Sequence, residues 1–258
     1  MPENGKKSKA AAAAAVVAAL VMTLGGCSMD TTSPATARDR AGSNAKSLVA
    51  SGTPSVDCTK AKCIALTFDA GPGRDTPQLL DTLKEKKVHA TFFLLGKNHV
   101  VKHPDLVRRI ADEGHEVANH TWSHRRLDKL SADEIRDELS RTQDAIAKIT
   151  GHRPTLMRPP QGRINDDVTQ VSRELGLAQI LWSATAKDFS TTDSELIKSR
   201  ILEQAGRDGI ILLHDIYDGT VPAVPGIIDE LKRRGYTFVT VPELLAPGKA
   251  NPGEIYRP

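Results

Sequence analysis

From Cys63 to Val241 the chain alternates short apolar runs with amphipathic stretches, and this alternation limits the fold more than any other feature. The runs are Cys63 to Phe68, Val88 to Leu95, His115 to Ala118, Leu156 to Arg158, Leu177 to Trp182, Gly209 to Leu213 and Tyr236 to Val241. Between them lie helical patterns. Leu79, Leu80 and Leu83 share one face, Pro104 opens a helix through Val107 and Ile110, and Ser131 with Glu134 forms a capping box before a helix ended by Gly151. Asp193 caps another helix, and Ile227, Ile228 and Leu231 line the last one. Strict alternation requires a parallel sheet with helical crossovers. No Gly-x-Gly-x-x-Gly follows the first run, so a dinucleotide fold loses ground to a closed barrel.

The barrel reading gains from where the polar residues fall. Asp69, His120, Arg158, Asp188 and His214 each follow a different run, and the strand ends of a barrel converge on one mouth. His120 and His124 stand four apart, a spacing that on a helical turn lets two imidazoles share a cation. Arg158 enters from a short strand and is stopped by Pro159-Pro160. The prolines fix the turn so that the N–H of Gln161 or Gly162 can face a substrate oxygen. Asp188 lies among aromatics, Trp182 before it and Phe189 after it, and His214 ends a very apolar strand. Each residue also has a plain structural reading: turn carboxylate, surface histidine pair, salt-bridged arginine, core histidine.

The first residues do not belong to the fold. Lys6, Lys7 and Lys9 precede an alanine-rich apolar run from Ala10 to Leu24, the pattern of a secretory signal and rather short for a spanning helix. Leu24-Gly25-Gly26-Cys27 resembles a bacterial lipobox, which would make Cys27 the lipidated mature N-terminus. Residues 28–57, rich in Ser, Thr, Ala, Gly and Asp without apolar periodicity, read as a flexible tether, and 58–258 as the folded domain. Export favours a disulfide between Cys58 and Cys63 over two free thiols. A net charge of +3 over 258 residues gives no argument for nucleic acid.

In this order, the motifs resemble the polysaccharide deacetylase family with the NodB homology domain, carbohydrate esterase family 4, over residues 62–245. The resemblance implies an α/β fold, a NodB-like distorted (β/α) barrel of about seven parallel strands. It implies metal-dependent removal of acetyl groups from N-acetylated sugars. By position, Asp69 matches the general base and Arg158 the arginine that holds it. His120 and His124 match the metal histidines, with Zn²⁺ expected and Co²⁺ or Ni²⁺ as alternatives. Gln161 stands where the family has Tyr and supplies an oxyanion N–H, with Trp182 beside the substrate. Leu212 matches the lid of the acetyl pocket, His214 the general acid, and Asp188 the carboxylate that tunes it.

One position departs from the family. The second aspartate of the TFDD motif, a metal ligand, is Ala70 here. The expected activity is therefore deacetylation of peptidoglycan amino sugars by a monomer lipid-anchored to the outer face of the bacterial cell membrane. The alternatives are an O-acetylxylan esterase, a chitooligosaccharide deacetylase, or a noncatalytic glycan-binding lipoprotein.

Overall fold

A computed structural model describes residues 1–2, 30–44 and 56–258. The signal-like run and Cys27 lie outside the described residues. Among the described residues no helix is long and apolar enough to cross a membrane.

Strand β1 (Lys62–Asp69) is the centre of the sheet. Its residues alternate between two apolar clusters, as a strand covered on both faces requires. Ile64, Leu66 and Phe68 join a cluster with helices α2 (Thr76–Lys86), α6 (Ser194–Gln204) and α7 (Thr220–Arg233). Cys63 and Ala65 join a second cluster with Phe93, Ala118, Leu156, Ala178 and Ile210. Thr67 and Asp69 have the parity of this second set, so the pleat that buries Ile64 and Leu66 outward turns Asp69 inward.

Among the described residues nine strands form one sheet in which every pairing is parallel. On one side of β1 lies β7 (Gly209–His214), followed by the two-residue β6 (Ala184–Thr185). On the other side come β2 (Thr91–Leu94), β3 (Glu116–Asn119), β4 (Leu156–Met157), β5 (Ala178–Ile180) and β9 (Ile255–Tyr256). Strand β8 (Tyr236–Val239) pairs with the first half of β1. Residues 181–183 run from β5 straight into β6. Leu181 donates to the Tyr256 carbonyl at 2.9 Å and Ser183 to that of Ile210 at 3.0 Å, so one bent run links both ends of the curled sheet. The seven expected strands are all present. The two-residue β6 and β9 are additional.

The capping signals act as read. Ser131 and Glu134 form a reciprocal capping box on α4 (Ala132–Thr150), and Gly151 ends it with φ 77°. Asp193 caps α6, and Asn165, which is not among the expected caps, caps α5 (Asp166–Glu174). Cys58 and Cys63 are joined by a disulfide.

The tether reading is corrected over residues 30–44. Helix α1 (Pro34–Asn44) packs against α8 (Val241–Leu245) at the end of the barrel where the strands begin. Its inward stripe is Pro34, Ala37, Arg38 and Ala41, a helical face without a large apolar residue. Arg38, 5% exposed, donates to the Leu244 carbonyl at 2.7 Å and to Asp208 at 2.6 Å. Ahead of it Thr32 bridges to Tyr256 as an extra parallel rung. The segment docks through backbone pairing and one buried cation, which a search for apolar periodicity does not detect.

Candidate active site

Sheet register assembles the site. Asp69 on β1 is the direct neighbour of His214 on β7 and of Phe93 on β2, while Asn119 on β3 pairs with Leu94 and Met157. His120 and Arg158 are the residues that follow Asn119 and Met157. Four chemically active side chains thus leave β7, β1, β3 and β4 at one level, with β2 between β1 and β3.

Asp69 and Arg158 are buried together. The Arg158 guanidinium, 0% exposed, donates from Nη1 to Asp69 Oδ1 at 2.7 Å and to Thr67 Oγ1 at 2.7 Å, and from Nε to the Ile180 carbonyl at 3.0 Å. It lies 4.1 Å over the Phe93 ring. Arg158 is therefore not a surface salt bridge. Burial lowers its pKa, opposed by the Asp69 charge and hydrogen bond. The second oxygen of Asp69 faces His120 Nε2 at 3.8 Å.

The two histidines meet, but not on a helix. Residues 120–126 form a loop in which Thr121 and His124 have φ of 72° and 62°. Side chains of the loop, its flank and a distant helix hold this shape. Thr121 N–H donates to Asn119 Oδ1 at 2.8 Å, His124 N–H to Thr121 Oγ1 at 3.0 Å, and Ser123 N–H to buried Glu138 at 2.8 Å. Trp122 packs onto Gly96, where an added Cβ would stand 2.2 Å from the indole. The His120 and His124 rings end with centroids 5.1 Å apart. His120 Nδ1 bonds the Arg158 carbonyl at 2.8 Å, so this nitrogen carries the proton and Nε2 keeps its lone pair. Burial drives the His120 pKa down to about 4 and lowers that of His124, leaving both rings neutral. Neutral imidazoles with free lone pairs fit a divalent cation, and Asp69 Oδ2 faces the same space. Ala70 offers no donor. It is 5% exposed with φ 66°, and its N–H donates to the Phe93 carbonyl at 3.0 Å. Among the described residues no group of three or more His, Cys, Asp or Glu forms a metal cluster. What this part of the chain offers a cation is two neutral imidazoles with the Asp69 carboxylate beside them.

His214 is gripped by Asp188. Its Nδ1 meets Asp188 Oδ1 at 2.8 Å, while its own N–H at 2.7 Å and Thr220 Oγ1 at 2.8 Å both donate to Oδ2. Burial acts to lower the His214 pKa, but the Asp188 hydrogen bond and the Asp188 and Asp69 charges outweigh it, so the net shift is upward. An imidazole so placed can deliver a proton near neutral pH.

These groups open into one cavity of about 510 Å³, lined by Asp69, His120, His124 and His214 and walled by Gln161, Trp182 and Leu212. Gln161 adopts φ 59°, ψ 13° in the turn after Pro160. Thr185, Lys187, Phe189 and Tyr217 complete the rim. Tyr217, Lys187, Thr220, Asn119 and Glu138 were not anticipated. Thr220 and Glu138 act through contacts with distant parts of the chain, to Asp188 and Ser123, which no local spacing marks.

A sequence model of polysaccharide deacetylases matches residues 56–180. The peptidoglycan-N-acetylglucosamine deacetylase PgdA of Listeria monocytogenes is 42% identical over 184 residues, 71% of this chain and 39% of that protein. The peptidoglycan-N-acetylmuramic acid deacetylase PdaC of Bacillus subtilis is 44% identical over 184 residues, 71% of this chain and 38% of that protein. The chain thus matches about two fifths of the length of these curated relatives. The solved structure of peptidoglycan deacetylase PdaC from Bacillus subtilis superimposes with a TM-score of 0.69 at 44% identity, over 73% of this chain and 92% of the solved one. The curled parallel sheet, the strand-end site and these matches agree: the chain belongs to the polysaccharide deacetylase family.

Proposed function

We propose that this protein hydrolyses acetyl groups from N-acetylated cell-wall polysaccharide, with the amino sugars of peptidoglycan as substrate. One observation carries the reading. Asp69 and His214 are register neighbours that open into one cavity, and each is locked by its own buried partner, Arg158 and Asp188. A glycan-binding surface has no use for a held base beside a held acid.

The chain's residues divide the work. Asp69 Oδ2, left free by Arg158, takes the proton of the attacking water as its oxygen adds to the acetyl carbon. The Gln161 N–H steadies the developing oxyanion. Leu212 and Trp182 enclose the methyl group. His214 protonates the sugar nitrogen as the carbon–nitrogen bond breaks, releasing acetate and a free amine. His120 and His124 would hold a divalent cation, Zn²⁺ first with Co²⁺ and Ni²⁺ as alternatives. When bound, that ion polarises the carbonyl and acidifies water.

Acetate release from peptidoglycan, chitotetraose and acetylxylan, with each metal added in turn, tests the proposal. Turnover of acetylxylan alone would point to an esterase. Tight glycan binding with no acetate from any substrate would support the noncatalytic reading that Ala70 favours.

The address supports the substrate. Lys6 to Leu24 and the lipobox-like Cys27 support export and lipid anchoring at the outer face of the bacterial membrane, beside the wall. Labelling with radioactive palmitate, lost in Cys27→Ser, tests the anchor. Size-exclusion chromatography with light scattering tests the monomer.

A further inference from the structure

Lys187 stands on the rim of the catalytic cavity, next in sequence to the carboxylate that holds His214. It is exposed, and among the described residues its ammonium forms no salt bridge. The neighbouring carboxylates are already engaged, Asp69 by Arg158 and Asp188 by His214. The lysine backbone adopts φ 50°, ψ 44°, a left-handed conformation uncommon for a residue with a side chain. It is pinned there from both sides. Its N–H donates to Thr185 Oγ1 at 3.3 Å, and its carbonyl accepts from Ser190 N–H at 2.9 Å and Ser190 Oγ at 2.6 Å. A strained backbone that keeps a cation at the edge of a reactive cavity fits a role at the site.

The chemistry of the substrate supplies that role. The nitrogen that His214 protonates sits on sugar carbon 2. In one of the two amino sugars of peptidoglycan the adjacent oxygen 3 carries a lactyl ether, whose carboxyl is amide-linked to the stem peptide and is a free carboxylate where that peptide has been cleaved off. Lys187 lines the same cavity as His214, so a carboxylate carried beside the leaving nitrogen enters the field of its ammonium. We propose that Lys187 determines specificity by binding this lactyl carboxylate, so that N-acetylmuramic acid units free of stem peptide are deacetylated ahead of N-acetylglucosamine units. The inference rests on the deacetylase reading above and adds the choice of sugar to it.

The test uses the full chain on a tetrasaccharide of alternating N-acetylglucosamine and N-acetylmuramic acid, on the same glycan with its lactyl groups methyl-esterified, and on chitotetraose. Mass spectrometry identifies which ring loses acetyl. Wild-type protein is expected to act first on the muramyl rings and to lose this preference on the ester. The ratio of kcat/KM for the free acid over chitotetraose is expected to fall about two- to fivefold in Lys187→Met and further in Lys187→Glu, and to survive in Lys187→Arg. Salt at 0.5 M is expected to shrink it in wild type. Loss of acetyl from glucosaminyl rings alone, or a ratio unmoved by Lys187→Met, overturns the assignment. If no substrate loses acetyl, the catalytic reading falls. Equilibrium dialysis of the radiolabelled tetrasaccharide then decides the lysine separately, with equal affinity in wild type and Lys187→Met overturning it.

Discussion

The guanidinium of Arg158 takes one oxygen of Asp69 at 2.7 Å and leaves the other turned toward His120, 3.8 Å away. The fork of the arginine makes this division possible, because the same group also reaches Thr67 Oγ1 and the Ile180 carbonyl. Arg158→Met would leave a buried carboxylate without its counter-charge. Stability is expected to fall by about 3–5 kcal/mol. Arg158→Lys keeps the charge but not the fork. It is expected to lose less stability than Arg158→Met while activity drops at least about tenfold, because a misaimed base costs more in rate than in folding. Denaturant midpoints and kcat for the two variants separate these effects.

His214 must be protonated to act as the acid, so activity should fall as pH rises through its raised pKa. Asp188→Asn removes the anion that opposes desolvation. The His214 pKa then drops, and the alkaline limb of the kcat profile is expected to move to lower pH. At pH 8 the loss should be about a hundredfold, the scale of a missing general acid. An alkaline limb that stays in place in this variant would assign it to another group.

How far the sequence carries these conclusions differs from residue to residue. β1 and β7 are legible because continuous aliphatic runs in a parallel sheet leave little choice of element. Asp69 is legible as an inward group because it keeps the parity of Cys63 and Ala65. The two-residue strands β6 and β9 have no periodicity to find. His120 and His124 meet as their spacing suggests, but through a loop with two left-handed residues and not through a helix. Asn119 fixes that loop locally, through Thr121 two residues on, but Glu138 reaches it from α4, and no local pattern joins them. Helix α1 escaped notice because its inward stripe carries an arginine where an aliphatic residue would have been informative.

Ala70 offers a direct test of the metal site. Its φ of 66° strains an alanine more than an aspartate, which visits the left-handed region more readily. Ala70→Asp is therefore expected to fold normally and to add the third protein ligand beside His120 and His124. Zn²⁺ affinity by isothermal titration should rise at least about tenfold, the scale of an outer-shell change or more. Acetate release at limiting metal should rise with it. Unchanged affinity would mean that Asp69 or another group already completes the set.

Arg38 tests the docking of α1. The arginine side chain is 4% exposed and its partner Asp208 14%, so the pair is largely out of water. Arg38→Met removes the cation and leaves the Leu244 carbonyl and Asp208 short of a donor. The domain is expected to lose about 3 kcal/mol, within the range for breaking a buried pair. Amide exchange in residues 34–44 should accelerate in the variant. Exchange in 34–44 that is already unprotected in wild type would restore the tether reading.

Asp215 gives a pH signature of stability that is independent of catalysis. It is fully buried, Oδ2 accepts from Thr76 Oγ1 at 2.5 Å, and Oδ1 has no partner. Burial raises its pKa from 3.8 to about 6. Because the folded value lies above the unfolded one, the folded state holds this proton more tightly. The contribution to stability is complete below about pH 4 and is lost as pH rises through about 6. The native state above that point carries a buried carboxylate at a cost on the order of 3 kcal/mol. Asp215→Asn keeps an acceptor for Thr76 and carries no charge at any pH. Its Tm is expected to exceed that of wild type by about 5 °C at pH 8 and to converge with it near pH 4. A variant less stable than wild type at pH 8 would show that the ionised carboxylate is itself stabilised, against the burial argument.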